Sequence, residues 1–235
     1  MNLQGVRQIL REQAFGNDEY AFFNKKIVMT NKKVLGVRTP QMRKLAKSWA
    51  KEVDAKSVRK LAREINPDVF EEVFLLGLVI GEAKISDEEK QKLIFDYLKL
   101  VDSWALVDCV IGKKLPAKNF DEKLWWQFAQ KCLELGGEFE VRAGVIAQMQ
   151  YFLTDKNLAK VFVSLRKIKT DKYYVKMATA WLYATAAAFY FEETMAELEK
   201  GKIDEWVVKK SYQKMKESFR ISDKQKAIIN KRVAK

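Results

Sequence analysis

A valine returns at a fixed interval of 34 residues, at Val73, Val107, Val141 and Val175. A constant period of this length marks stacked helical hairpins, in which each unit is too small to bury its own apolar face and its neighbours bury it instead. The residue after each valine changes along the series: Phe74, Asp108, Arg142 and Lys176. If equivalent positions align from hairpin to hairpin, Asp108, Arg142 and Lys176 form a row on one surface, with a carboxylate at one end of two cations. The clear repeats run from about residue 66 to 190. Residues 1 to 65 are less regular, and the last hairpin, about 200 to 235, is the most charged, as capping units tend to be.

Local signals agree with helix throughout. Thr39-Pro40 places an N-cap before a proline at the first helical position and opens a basic helix through about Glu52. Asn66-Pro67 repeats the device ahead of Phe70 and Val73. Ser86-Asp87-Glu88-Glu89 and Ser222-Asp223-Lys224-Gln225 are capping boxes, and Gly136-Gly137 separates two helices. Apolar residues fall at helical spacing, as at Leu93, Tyr97 and Leu100. Three prolines and ten glycines are too few for a β-sandwich or barrel, which needs turn residues about every 8–12 positions. The expectation is an all-α, helical-repeat solenoid (an α-α superhelix) forming one domain over residues 1–235.

Charge then selects the partner. The chain carries a formal net charge of +13, which favours polyanions, nucleic acid first and an anionic membrane surface second. From residue 200 onward twelve cations face four anions, so the terminal helix pair reads as a phosphate-contacting arm. Two cysteines, Cys109 and Cys132, and no histidine exclude a disulfide framework and the usual four-ligand zinc site. No metal and no cofactor are expected. Met1 to Phe15 has arginines among its apolar residues, unlike a secretion signal. The longest apolar run, Ala178 to Phe191, is shorter than a membrane span. No membrane partner and a cytoplasmic location follow by elimination.

One constellation has the parts for chemistry. Four residues separate Trp104 from Asp108, which puts them on one helix face a turn apart. Arg142 holds the repeat position of Asp108 one hairpin later, and Trp181 lies on the hairpin after that. Indole faces suit a base or sugar, and a guanidinium suits a phosphate. Each residue has a structural reading as well. Tryptophans at helical spacing are commonly core, Asp108 and Arg142 read equally as an inter-repeat salt bridge, and Lys176 as a solvated residue.

Resemblance adds a reaction. Leu35-Gly36-Val37-Arg38-Thr39-Pro40 with Arg43, Lys44 and Leu45, then Ser103-Trp104 with Val107-Asp108, then Val141-Arg142-Ala143, then Tyr173 to Ala178 leading to Trp181, resemble in order the motifs of the AlkD-like DNA alkylation repair family. The match covers about residues 20 to 225. It implies HEAT-like repeats around a concave basic groove. It also implies a monofunctional glycosylase that excises purines alkylated at N3 or N7. By resemblance Asp108 is the catalytic carboxylate, and Trp104, Trp181 and Arg142 line the substrate cleft. Arg38, Arg43, Lys47 and Lys176 are the expected DNA contacts, and the expected partner is alkylated duplex DNA bound by a monomer. The stretch Phe22 to Thr30 is short, resembling a compact branch in which an N-terminal helix that helps engage damaged DNA is reduced. Ala105 and Leu106 are more apolar than the glycosylase pattern. The alternative from another class is a non-catalytic HEAT-like scaffold that binds nucleic acid or an acidic protein.

Overall fold

The computed structural model describes residues 3–51, 53–112 and 120–233. Among them are fourteen α-helices and no strand: α1 Leu3–Ala14, α2 Asp18–Val28, α3 Thr39–Trp49, α4 Ala55–Glu64, α5 Phe70–Glu82, α6 Asp87–Leu98, α7 Trp104–Ile111, α8 Glu122–Leu135, α9 Glu138–Tyr151, α10 Leu158–Arg166, α11 Tyr173–Ala187, α12 Phe191–Leu198, α13 Glu205–Glu217 and α14 Asp223–Val233. The all-helical expectation holds. Glu52, where the basic helix was expected to end, and Ala234 and Lys235 of the terminal hairpin lie outside the described residues.

The chain forms two compact units, residues 1–125 and 126–235. In the first, α5 packs against α3 and α7, and its hairpin partner α6 lies beside it. In the second, α11 packs against α9 and α13, with α12 beside it and α14 against α13. Within each unit, then, alternate helices share a layer.

The 34-residue valine reports that layer. Val73, Val107 and Val141 are each the fourth residue of α5, α7 and α9, and Val175 is the third of α11. All four are buried. Helices at the centre of a layer are apolar on every side rather than along a stripe, and α5 buries every residue from Phe70 to Ile80. Peripheral α4, by contrast, buries only Val58 and Leu61.

Helix starts correct two expectations. At α3 the N-cap is Arg38, not Thr39: the Arg38 N–H donates to Gln41 Oε1 at 3.2 Å, and Pro40 falls in the first turn. Asn66-Pro67 is a turn upstream of α5, where Asn66 Oδ1 accepts from the Asp68 N–H at 3.0 Å; α5 starts later because Lys33 pairs with Val69 as an isolated parallel bridge. Both capping boxes are present at their Ser–N3 bonds, Ser86 Oγ from the Glu89 N–H at 3.3 Å and Ser222 Oγ from the Gln225 N–H at 3.3 Å. Gln225 also returns its side-chain oxygen to the Ser222 N–H at 2.9 Å.

Candidate nucleic-acid interface

In the first unit Trp104 is the first residue of α7 and Asp108 follows one turn later. A helix leaves its last carbonyls without intrahelical donors, and α2 ends in front of the turn Asp102-Ser103-Trp104. Trp104 Nε1 donates to the Ile27 carbonyl at 3.0 Å, and Ser103 Oγ donates to the Val28 carbonyl. The Met29 N–H, on a left-handed residue at φ 53°, closes on Lys25 O at 3.1 Å. Asp102 completes the clamp by accepting from the Thr30 hydroxyl at 2.8 Å and the Asn31 N–H at 2.9 Å. Trp104 is thus oriented by its own N–H, with its ring half-buried. One turn on, Asp108 is also half-buried. Leu106 and Val107 between them are fully buried, and Ala105 nearly so, so the apolar residues there fill the core side of α7.

Beside Asp108, burial pushes the Cys109 thiol up from its ordinary pKa; the guanidinium of Arg43 on α3 opposes that shift, and the Asp108 charge adds to it. Arg43 is half-buried, whereas Arg38 and Lys47 are exposed. Arg38 lies over the Tyr20 ring at 4.4 Å. Its position depends on Glu71, a buried carboxylate that accepts from the N–H groups of Leu35 at 2.9 Å, Gly36 at 2.9 Å and Val37 at 3.3 Å. Burial pushes the Glu71 carboxyl above the ordinary range, against those three donors.

In the second unit Arg142 and Lys176 take different roles although they share a repeat position. Arg142 is buried in α9, and Nη1 donates to the Tyr174 carbonyl at 2.7 Å. Glu138, one turn earlier, accepts from the Tyr174 N–H at 2.8 Å. One residue at the start of α11 is therefore held at both backbone groups by α9. Lys176 is half-buried, paired with Asp204 at 3.1 Å and lying 5.5 Å from the Trp206 ring. Trp181 is 40% exposed and lines an open cleft of about 470 Å³ together with Gln150, Thr185, Lys214, Ser218 and Arg220. Of the candidates, Trp104 and Asp108 lie on α7 and Arg43 of α3 lies beside Cys109 in one unit; Arg142, Lys176 and Trp181 lie on α9 and α11 of the other.

A family model described as "DNA alkylation repair enzyme" matches residues 10–215. The chain belongs to the DNA alkylation repair enzyme family. Membership carries a role in DNA alkylation repair and DNA as the partner. No curated protein and no solved structure matched the chain.

For this alkylation-repair protein, sequence reasoning passed over the residues that aim the site. Glu71, Asp102 and Ser103 act on backbone far away in sequence, and only the Ser103 N-cap, whose hydroxyl accepts from the Ala105 N–H at 3.2 Å, leaves a local signal. Arg220 and Lys214 were legible as members of a basic hairpin, but not as walls of the Trp181 cleft. Among the described residues no three His, Cys, Asp or Glu side chains gather to hold a metal ion, and no helix is long and apolar enough to cross a membrane.

Proposed function

We propose that this protein is a monofunctional DNA glycosylase that hydrolyses the N-glycosidic bond of N3- or N7-alkylated purines in duplex DNA, working as a monomer. The observation that carries the reading is Asp108 one turn after Trp104 on α7, half-buried, in a chain matched to the alkylation-repair family over most of its length.

An alkylated purine is already cationic, so the C1′–N bond can break with its electron pair passing to the base and no general acid is needed. Positive charge then develops on the sugar. An ionised carboxylate near it stabilises that charge and orients water toward C1′, and the proton of the attacking water leaves to solvent or to the same carboxylate. Asp108 takes this role. Trp104 and Trp181 each offer an aromatic face to DNA. Arg38, Arg43, Lys47 and Lys176 neutralise phosphates.

The test is release of 7-methylguanine and 3-methyladenine from methylated duplex DNA. Asp108→Asn lowers the single-turnover rate by about 100-fold or more, the order expected on removing a preorganised electrostatic group. Wild-type release no greater than that of the variant overturns the enzyme assignment. Charge reversal at Arg43 and Lys47 weakens duplex binding and flattens its salt dependence; unchanged affinity places α3 away from DNA.

A second reading, a HEAT-like scaffold without catalysis, draws support from Arg142, which is buried and holds a helix start. Under that reading Asp108→Ala costs several kcal/mol by stranding a charge partner, whereas a functional carboxylate is removable at small cost.

A further inference from the structure

Helix α2 departs from the rule that apolar residues are buried. It fully buries only Val28, while Phe22, Phe23 and Ile27 are 65%, 58% and 46% exposed. The helix is held at its C-terminal end instead, by the Ser103 and Trp104 donors on the Val28 and Ile27 carbonyls. A helix of this length is marginal alone in water, and most helices are stabilised by burying an apolar face. Large apolar side chains left wet side by side mark an interaction surface.

Charge identifies what covers it. Asp18 and Glu19 open α2, and Lys25 and Lys26 close it. That order suits the helix dipole, but it also makes the helix neutral and its charge pattern self-complementary. Glu19, Phe22, Phe23 and Lys26 fall at i, i+3, i+4 and i+7, on one face. A second α2 turned end for end about an axis at Phe22 and Phe23 sets its Lys26 against Glu19 and its Glu19 against Lys26. The phenylalanine rings of both copies lie between the two pairs. Among the described residues none of the four charges has an ion-pair partner; Lys26 lies over the Phe22 ring at 4.0 Å. A duplex or an acidic peptide would meet Asp18 and Glu19 as well as the lysines, so a polyanion fits this face poorly. Repulsion between copies is modest on this side of the chain. The twelve cations and four anions from residue 200 onward carry +8 of the +13, leaving +5 for all the residues before them.

We propose that α2 is the contact surface of a two-fold homodimer. Antiparallel α2 helices of two copies pack through Phe22 and Phe23 and are held in register by reciprocal Glu19–Lys26 pairs. Each copy keeps Trp104 and Asp108 within its own chain, so a single chain remains the working unit and the dimer joins two complete ones. Covering the exposed parts of Phe22, Phe23 and Ile27 buries roughly 300 Å² per copy, well below the roughly 800 Å² per partner of a stable complex. The pair is therefore transient, with a Kd of about 10–100 μM.

The experiment is sedimentation velocity of the full chain, without DNA, across concentrations that span that Kd. Wild type moves from the mass of one chain toward that of two. The double variant Phe22→Ala, Phe23→Ala stays monomeric throughout, with an unchanged melting temperature because both rings are exposed. Glu19→Lys and Lys26→Glu each weaken pairing by about tenfold, since two symmetry-related contacts turn repulsive at once. Mixed in equal amounts, the two charge variants regain the wild-type affinity within about threefold, because each supplies the charge the other lacks. A wild type that stays monomeric, a dimer that survives loss of both phenylalanines, or a mixture no tighter than its parts overturns the pair. So does a monomeric wild type whose affinity for duplex DNA or anionic vesicles falls in the double variant, which gives the face to that occupant instead. Base release by Asp108→Asn enters none of these readings, so the dimer and the proposed function fail separately.

Discussion

The two units tie their helices together by different means. In the first, acids, buried at Glu71 and Glu72 and half-buried at Asp102, reach to irregular backbone. Glu71 gathers three N–H groups at Leu35–Val37, Asp102 gathers Thr30 and Asn31, and Glu72 accepts from Arg7 at 2.9 Å through both nitrogens and from the Asn66 N–H at 2.8 Å. In the second, ties run between neighbouring hairpins about one repeat apart: Glu138 and Arg142 to Tyr174, Lys172 to the Gly136 carbonyl, Arg166 to Glu197. The irregular first 65 residues place backbone donors where no helix can satisfy them, and a buried donor without an acceptor is costly. Regular hairpins leave only helix ends to satisfy. The acids of the first unit therefore set loop conformation, while the polar ties of the second fix helix-to-helix register.

This contrast ranks the effects of substitution. Largest is Glu72→Ala, which removes the acceptor of the Asn66 N–H and a partner of the partly solvated Arg7 guanidinium and costs about 2–3 kcal/mol in chemical denaturation; a loss below 1 kcal/mol would show that the first unit does not depend on its acids. Next is Glu71→Gln, which keeps one acceptor oxygen of two and costs about 2 kcal/mol. Its pH dependence has a definite sign. Because burial raises the folded carboxyl above its ordinary value of 4.5, the folded chain holds the proton more tightly than the unfolded chain. Stability from Glu71 is full at low pH and is lost as pH rises through the raised value. The gap between wild type and Glu71→Gln narrows as melting is followed upward from about pH 4.5, and a widening gap contradicts the burial assignment. Smallest is Lys176→Ala in the second unit. Its pair with Asp204 is partly solvated, so thermal melting changes by no more than about 1 kcal/mol. A larger loss would make that unit as dependent on charge as the first.

The site was legible to different depths in the two units. Trp104 and Asp108 lie one turn apart on α7, as their spacing of four required. What the spacing could not give is the orientation of Trp104, because the bond to Ile27 O spans 77 residues. Arg142 was expected along a surface row with Asp108 and Lys176, yet it is buried against Tyr174. The repeat fixes where a residue starts on its helix, but a long side chain on a fully packed helix goes to whatever acceptor is in reach. Caps show the same limit at shorter range. Ser86 and Ser222 cap as read, being local bonds over three residues. Thr39 and Asn66 do not, because the segment before each helix is held from elsewhere, by Glu71 and by the Lys33 bridge.

From the sequence alone came the all-helical class, the hairpin period and its buried valine, the cationic surplus and the family. All of these are periodic, local or summed along the chain, and survive without knowing which segments meet. Only the tertiary structure decided that α2 hangs from the start of α7, that Glu71 shapes the loop before α3, and that the end of α13 and the turn after it line an open cleft beside Trp181. Each of those is a contact between residues far apart in sequence, settled by which buried donors and acceptors needed a partner once the helices had packed.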